Sequence, residues 1–221
     1  MSTATPRLLV IDTSGPTAVV EAWIGAKLLA HESFGSARHV QGLTPRLKSL
    51  LATVAWTIAE INAIVINIGP GSFTGIRVGL ATAKALAYVD GQKLIGVDCF
   101  DAWAAGVPFD ESPMFDVVTE GQLQTVNVVR YELENGERLR LPLRTMPRDK
   151  WAGACDPKVA VIGASSALKA LLPKDVNWID AKPQTAVVGL ARYLAGRFDD
   201  PMILEPYYVR PSSAEEKWDA R

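Results

Sequence analysis

The order of apolar runs predicts an α/β fold of two pseudo-repeated lobes, each a mixed five-stranded sheet flanked by helices. Three observations lead there. The first 105 residues read as β-β-β-α-β-α-β-α, and the second half passes through the same order with weaker signals. The length of 221 residues leaves room for two lobes of about a hundred residues each.

Residues 7–13 are an apolar run that ends in Asp12-Thr13, the pattern of a buried strand. Strands at 18–24 and 28–34 follow, separated by Ser14-Gly15-Pro16 and by Gly25, so three strands with short turns form an antiparallel meander. Val40, Leu43, Leu47, Leu50, Leu51 and Val54 then recur at helical spacing, with Ser36 as a cap and Pro45 near the first turn. A strand at 63–68, a helix at 74–89, a strand at 93–97 and a short helix at 100–105 complete the first unit. The second half offers strands at 115–119, 124–132 and 138–143, the last marked as an edge by Pro142. The stretch 144–157 stands in place of the first crossover helix; a strand at 159–162, a helix at 165–172, a strand at 176–178 and a helix at 185–197 close the repeat. The lobe boundary is expected within 106–113, giving lobes 1–105 and 106–221, the second ending in the polar tail 212–221. This duplicated unit is the plan of the actin-like (ASKHA) folds, heat-shock ATPases and sugar kinases among them, where nucleotide lies in the cleft between lobes; the plan alone does not fix a function.

With 48% hydrophobic and 21% charged residues the chain has the composition of a globular protein, which argues against wholesale disorder or a small disulfide scaffold. Lys and Arg number 23 against 24 Asp and Glu, a net charge of −1, so no overall electrostatic footprint for nucleic acid or anionic membrane exists. Cys99 and Cys155 lack zinc-ligand spacing and are expected as reduced, buried thiols. The apolar run at 8–11 is too short for a signal-peptide core and no stretch is long enough to span a bilayer; the cytoplasm is the expected location, with no membrane partner.

Two stretches carry candidate chemistry. Asp12, Thr13 and Ser14, at the end of a buried strand, can offer donors to a phosphate or hold a hydrated metal, and can equally satisfy a turn through local hydrogen bonds. Gly69-Pro70-Gly71-Ser72-Phe73-Thr74-Gly75 joins a strand to a helix with Ser72 or Thr74 as cap, a geometry suited to anions, yet it is neither Gly-x-Gly-x-x-Gly nor a P-loop. In the helix that follows, Gly75, Gly79, Ala83 and Ala87 form a smooth stripe that suits close packing, on a partner helix or on the chain's own sheet. Helical glycines cost up to about 1 kcal/mol each against alanine, so two in this helix call for such a reason. His31-Glu32 does not continue into a zincin motif, no Gly-x-Ser-x-Gly elbow exists, and Arg138, Arg140, Arg144, Arg148 and Lys150 read as a solvated edge. No metal site or catalytic residue emerges.

These residues resemble one family. The strand Leu9-Val-Ile-Asp-Thr-Ser14, His39 followed by Leu43, Pro45 and Leu50-Leu51, the segment Ile68-Gly-Pro-Gly-Ser-Phe-Thr-Gly-Ile-Arg-Val-Gly79, Leu94-Ile-Gly-Val97 and Glu205-Pro-Tyr-Tyr-Val-Arg210 are similar to the TsaB (YeaZ) family. That family is required to make threonylcarbamoyladenosine next to the tRNA anticodon. Where many members carry Asp-Ala-Arg in the second lobe, this chain reads Thr119-Glu120-Gly121. The resemblance implies a non-catalytic subunit of the threonylcarbamoyltransferase complex, a homodimer when alone, that binds and activates the paralogous transferase TsaD together with the ATPase TsaE and meets tRNA only through them. TsaD holds a metal through histidines; the matching stretch here, 97–103, has none. No cofactor of its own is implied, with ATP or ADP at the TsaD interface the one nucleotide expectation. By resemblance the interface comprises His39, Leu43, Leu47, Thr74, Gly75, Val78, Gly79, Thr82 and Ala83, and Asp12, Thr13 and Ser14 are the candidate nucleotide contacts. Gly79→Leu or Ala83→Arg is then expected to break the dimer and leave a folded monomer. The rival reading is an ATPase or an M22-type metallopeptidase-like enzyme of the same fold.

Overall fold

In the computed structural model, residues 5–35, 39–108 and 112–209 are described. The chain divides into two compact units: the residues up to Cys99 together with those from Thr185 onward, and Phe100–Gln184. The expected division at 105/106 gave the last helix to the second lobe, whereas it belongs to the first unit.

In the first unit, β1 (Arg7–Asp12), β2 (Thr17–Ile24) and β3 (Lys27–Gly35) form the expected meander. β4 (Ala63–Gly69) and β5 (Lys93–Asp98) add in parallel, giving the order β3-β2-β1-β4-β5. Parallel strands covered on both faces need apolar residues at every position, and β1 and β4 are buried almost throughout. Leu9, Ile11, Ile64 and Ile66 share a core with Leu43, Leu47 and Leu50 of α1 (His39–Thr53) and with Leu80 and Ala83 of α2 (Phe73–Asp90). Each such aliphatic side chain, fully buried, contributes about 1.5–3 kcal/mol. Leu8, Val10 and Val65 are equally buried on the opposite face, where α6 (Thr185–Leu194) packs on β1, β4 and β5. Ser36, the expected cap of α1, lies outside the described residues, and Pro45 falls in the second turn of α1.

A short 3-10 turn, Ile58–Glu60, leads into β4. The Glu60 carboxylate accepts from Thr57 N at 2.8 Å, from Thr57 Oγ1 at 3.0 Å and from Arg7 Nη1 at 2.6 Å. The Thr57 backbone bond, then the Arg7 bond, lower its pKa from 4.5 to about 2. A carboxylate depressed in the folded state stabilises it above its unfolded pKa, and the contribution is lost as pH falls through the folded value. An NMR titration of Glu60 is expected to show a midpoint near 2; an ordinary midpoint would mean that neither partner holds it in solution.

In the second unit, β6 (Met114–Glu120) pairs antiparallel with β7 (Thr125–Glu134) and parallel with β10 (Ala160–Gly163). The strand expected at 138–143 ends early, as β8 (Glu137–Arg140), and a further strand not expected there, β9 (Arg144–Pro147), follows; both share one side of β7. Pro142 lies at the break, where it has no N–H for the ladder. β9 therefore completes the five-stranded sheet. The strand expected at 176–178 makes only an isolated bridge, Val161 to Trp178. The stretch 144–157 holds β9 and α4 (Arg148–Gly153), whose Trp151 is buried against Val118, Val126 and Val128. Two helices are shorter than predicted: α5 is Ser166–Lys169, where 165–172 was expected, and α6 ends at Leu194. The remaining helix, α3 (Cys99–Ala104), carries the chain between the units.

The arginines read as a solvated edge are tied into this unit. Arg138 donates to the carbonyls of Ala104 and Val107, and burial lowers its pKa. Arg140 pairs with Asp101 at 2.9 Å and Arg148 with Glu120 at 2.7 Å. Cys99 and Cys155 are both thiols outside any disulfide; Cys99 is buried, whereas Cys155 is only half-buried, and burial raises its thiol pKa.

Candidate functional site

The C-terminal ends of β1 and β4 place the two motif-bearing turns side by side. Asp12 Oδ1 accepts from Ser14 N at 2.9 Å and Ser14 Oγ at 2.6 Å, and Oδ2 accepts from Asn67 Nδ2 at 2.9 Å. Asn67 Oδ1 in turn accepts from Gly69 N at 2.9 Å, so one network spans both strand ends. Burial holds the Asp12 carboxyl above its usual range, against the pull of the Ser14 and Asn67 bonds. The fully buried Thr13 donates its hydroxyl to Gly75 O at 2.7 Å, and Ser14 O accepts from Ser72 N at 2.7 Å. A Cβ on Gly71 would stand 2.3 Å from Ser14 O, which is the approach that the glycine permits.

Both hydroxyls and the Ser14 amide of this turn therefore have an internal use. The arrangement does not fit a phosphate on this turn, and the local hydrogen-bonding role that turn residues commonly play describes it. Ser72 caps α2, its Oγ accepting from Gly75 N at 3.2 Å.

The stripe on α2 faces inward. Gly75, Gly79 and Ala83 are buried, and a Cβ on Gly79 would lie 2.2 Å from Thr13 Oγ1 and 3.2 Å from Ile66 Cδ1. Leu43 and Leu47 of α1 are buried in the same core. These five expected interface residues pack on the chain's own sheet, because the smooth side of α2 is what brings its axis close to β1 and β4. Of the others, Thr74 is exposed, Val78 and Thr82 are half-buried, and the side chain of His39 lies outside the described residues. Thr82 donates back to Val78 O at 2.8 Å.

What α2 presents outward is a different row: Thr74, Arg77, Ala81, Ala85 and Tyr88, spaced by three or four residues and exposed. At the N-terminal end of this row Arg77 is stacked over Phe73 at 3.8 Å, and its Nε donates to Tyr208 Oη at 2.7 Å. Tyr208 stacks on Phe73 with ring centroids 5.3 Å apart, and Tyr207 N donates to Ile68 O at 2.8 Å. The C-terminal Pro-Tyr-Tyr segment is thereby fastened to the glycine-rich turn. Both motifs are legible in the sequence but their contact is not, the one signal for it being a Phe and an Arg four residues apart at the start of α2.

Among the described residues, no group of three or more His, Cys, Asp or Glu is placed to hold a metal ion, and no helix is long and apolar enough to cross a membrane.

Comparison with known proteins gives a consistent picture. The family model "TsaD: tRNA N6-adenosine threonylcarbamoyltransferase" matches residues 31–144. The tRNA threonylcarbamoyladenosine biosynthesis protein TsaB of Escherichia coli is 34% identical over 100 residues, 45% of this chain; the match spans less than half of that relative, 43%. TsaB of Bacillus subtilis is 28% identical over 96% of this chain and 97% of its own length. The solved structure of YeaZ from Pseudomonas aeruginosa, 21% identical, superposes over 92% of this chain and 100% of its own with a TM-score of 0.74, which shows the actin-like (ASKHA) fold. The glycine-rich turn, the C-terminal tyrosines docked on it, the two five-stranded sheets and these matches together place the chain in the TsaB/YeaZ family of tRNA threonylcarbamoyladenosine biosynthesis proteins.

Proposed function

We propose that the chain is a non-catalytic scaffold subunit of threonylcarbamoyladenosine synthesis, which binds and activates TsaD, works with TsaE, pairs with itself when alone and meets tRNA only through those partners. The observation that carries this reading is the outward row of α2. Ala81 and Ala85 are exposed at its middle, with Thr74 and the half-buried Val78 and Thr82 beside them, so another helix can come close without displacing a large side chain. Family membership supports it, and so does the occupied Asp12–Ser14 turn, which leaves nucleotide to a partner's cleft. A net charge of −1 also suits a subunit whose contact with tRNA is indirect.

The test is reconstitution of tRNA modification from TsaD, TsaE and this chain. Ala85→Arg adds a large cation at an exposed position, so the fold should keep its melting temperature while modification falls to the level seen without the chain. Full modification with the Ala85→Arg protein would remove this helix face from the interface, and metal-dependent phosphate release by the purified chain alone would return the enzyme reading.

A further inference from the structure

The C-terminal end of α2 and the segment after α6 border an open cleft of about 400 Å3 within the first unit. Three kinds of group line it. Its apolar wall is unusually exposed: Tyr88 is 78%, Met202 75% and Phe198 41% accessible. Two carboxylates stand beside that wall. Asp199 Oδ2 accepts from Gly96 N at 2.8 Å and Asp200 Oδ1 from Met202 N at 2.8 Å, which leaves one oxygen of each without a partner among the described residues. Neither is in an ion pair there; Lys93, which lines the same cleft, holds its Nζ 5.4 Å over the Phe198 ring. The third group is Gln92, which is more than nine-tenths buried. Its Nε2 donates to Ile58 O at 3.1 Å, while its Oε1 has no hydrogen-bond partner.

Unpaired carboxylates beside apolar surface call for a cation, and a buried acceptor without a donor calls for an N–H. An ammonium is a compact, strongly hydrated charge, whereas a guanidinium is flat, weakly hydrated, stacks on aromatic faces and carries its donors in one plane. Arginine answers all three groups at once, its plane on Tyr88, its stem along Met202 and its donors toward Asp199, Asp200 and Gln92 Oε1. We propose that the cleft receives an arginine side chain of the protein partner that lies along α2. This rests on the reading of the outward row of α2 as the partner-facing surface. Tyr88 is both the last residue of that row and a wall of the cleft, so the two surfaces are continuous. A helix laid over Ala81 and Ala85 meets Tyr88 within one further turn, about 4.5 Å along α2. Charge supports the same seat. Between Phe73 and Val89 the charged residues of α2 are Arg77 and Lys84, so a partner cation is repelled along the row and finds carboxylates only at this end, which sets the direction in which the partner lies.

Two measurements on the full chain test this. In an NMR titration with N-acetyl-arginine amide, the Gln92 side-chain amide and the Asp200 and Met202 backbone amides are expected to shift, and to stay still in the Asp199→Asn/Asp200→Asn protein. N-acetyl-lysine amide should bind about tenfold more weakly, since it lacks the flat fork of donors. No shift at those groups, or equal binding of the lysine probe, overturns the proposal; tighter binding of N-acetyl-tryptophan amide overturns it in favour of an aromatic ligand. Binding to TsaD is the second readout. Asp199→Asn/Asp200→Asn keeps both backbone hydrogen bonds, so the melting temperature should hold while affinity falls about tenfold and its salt dependence flattens. Unchanged affinity would overturn the arginine seat and leave the proposed function standing. Failure of the wild-type chain to bind TsaD would instead overturn the proposed function, and the arginine titration would still decide the cleft.

Discussion

Gly79→Leu is expected to destabilise the first unit severely, not merely to part it from a partner. The first added atom, Cβ, would lie 2.2 Å from Thr13 Oγ1, and Thr13 is fully buried with its hydroxyl committed to Gly75 O at 2.7 Å. Relief requires Thr13 to leave its hydrogen bond or α2 to rise from the sheet, and the rest of the leucine must then enter the same closed space. Overpacking costs about 1–3 kcal/mol and a stranded buried polar group about as much again, so the leucine is expected to cost about 2–6 kcal/mol, a large share of an ordinary stability of about 5–15 kcal/mol. A milder series makes the cause measurable. Gly79→Ala should cost about 3 kcal/mol in chemical denaturation and about 1 kcal/mol when combined with Thr13→Ala, because without Oγ1 the nearest remaining contact is Ile66 Cδ1 at 3.2 Å. Equal costs in both backgrounds would show that Thr13 is not what Gly79 accommodates. Ala83→Arg, fully buried at the same face, should fail to fold for a related reason: its charge would enter the core unpaired. Neither substitution therefore separates a dimer into folded monomers, as the sequence had suggested.

Gly71→Ala is the second large effect. Here the obstacle is main chain: the Cβ would stand 2.3 Å from the Ser14 carbonyl oxygen and 3.0 Å from its carbon. A side chain can swing aside, but this carbonyl is held by Ser72 N at 2.7 Å, so the two turns must separate. The expected loss is about 3 kcal/mol or more, accompanied by faster hydrogen exchange at Ser72. Gly35→Ala serves as the control, since nothing lies within 4 Å of the added carbon, and its effect should stay within about 0.5 kcal/mol. A Gly71→Ala protein as stable as that control would mean the turns are not locked together in solution.

The first unit was legible because its strands announce themselves. Leu8 to Ile11 and Ala63 to Ile66 are continuous apolar runs with polar or glycine stops, and both became central parallel strands within a residue of expectation. The second unit was less so. Three of its strands, β8, β9 and β10, have only four residues each, and Pro142 ends β8 short of the expected strand by withholding a ladder donor, a break that an alternating Arg/Leu pattern conceals. The pairing of Arg138, Arg140 and Arg148 with main-chain and carboxylate acceptors was likewise invisible, since their partners lie 28 to 39 residues away.

By itself the sequence determined the element order, the glycine-rich turn opening α2 and the family signature, because all three depend on residues adjacent in the chain. Which way the glycine stripe faces, whether Asp12, Thr13 and Ser14 keep free donors, and that α6 returns to the first unit were decided only by tertiary structure. The physical reason is the same in each case. A helix with Gly75, Gly79 and Ala83 in a row can receive any close neighbour, and a serine or threonine hydroxyl can bond any acceptor in reach. Local sequence sets the capacity for contact, while the partner that fills it, here Thr13 against Gly79 and Ser72 against Ser14, is chosen by segments brought together from 58 to 66 residues apart.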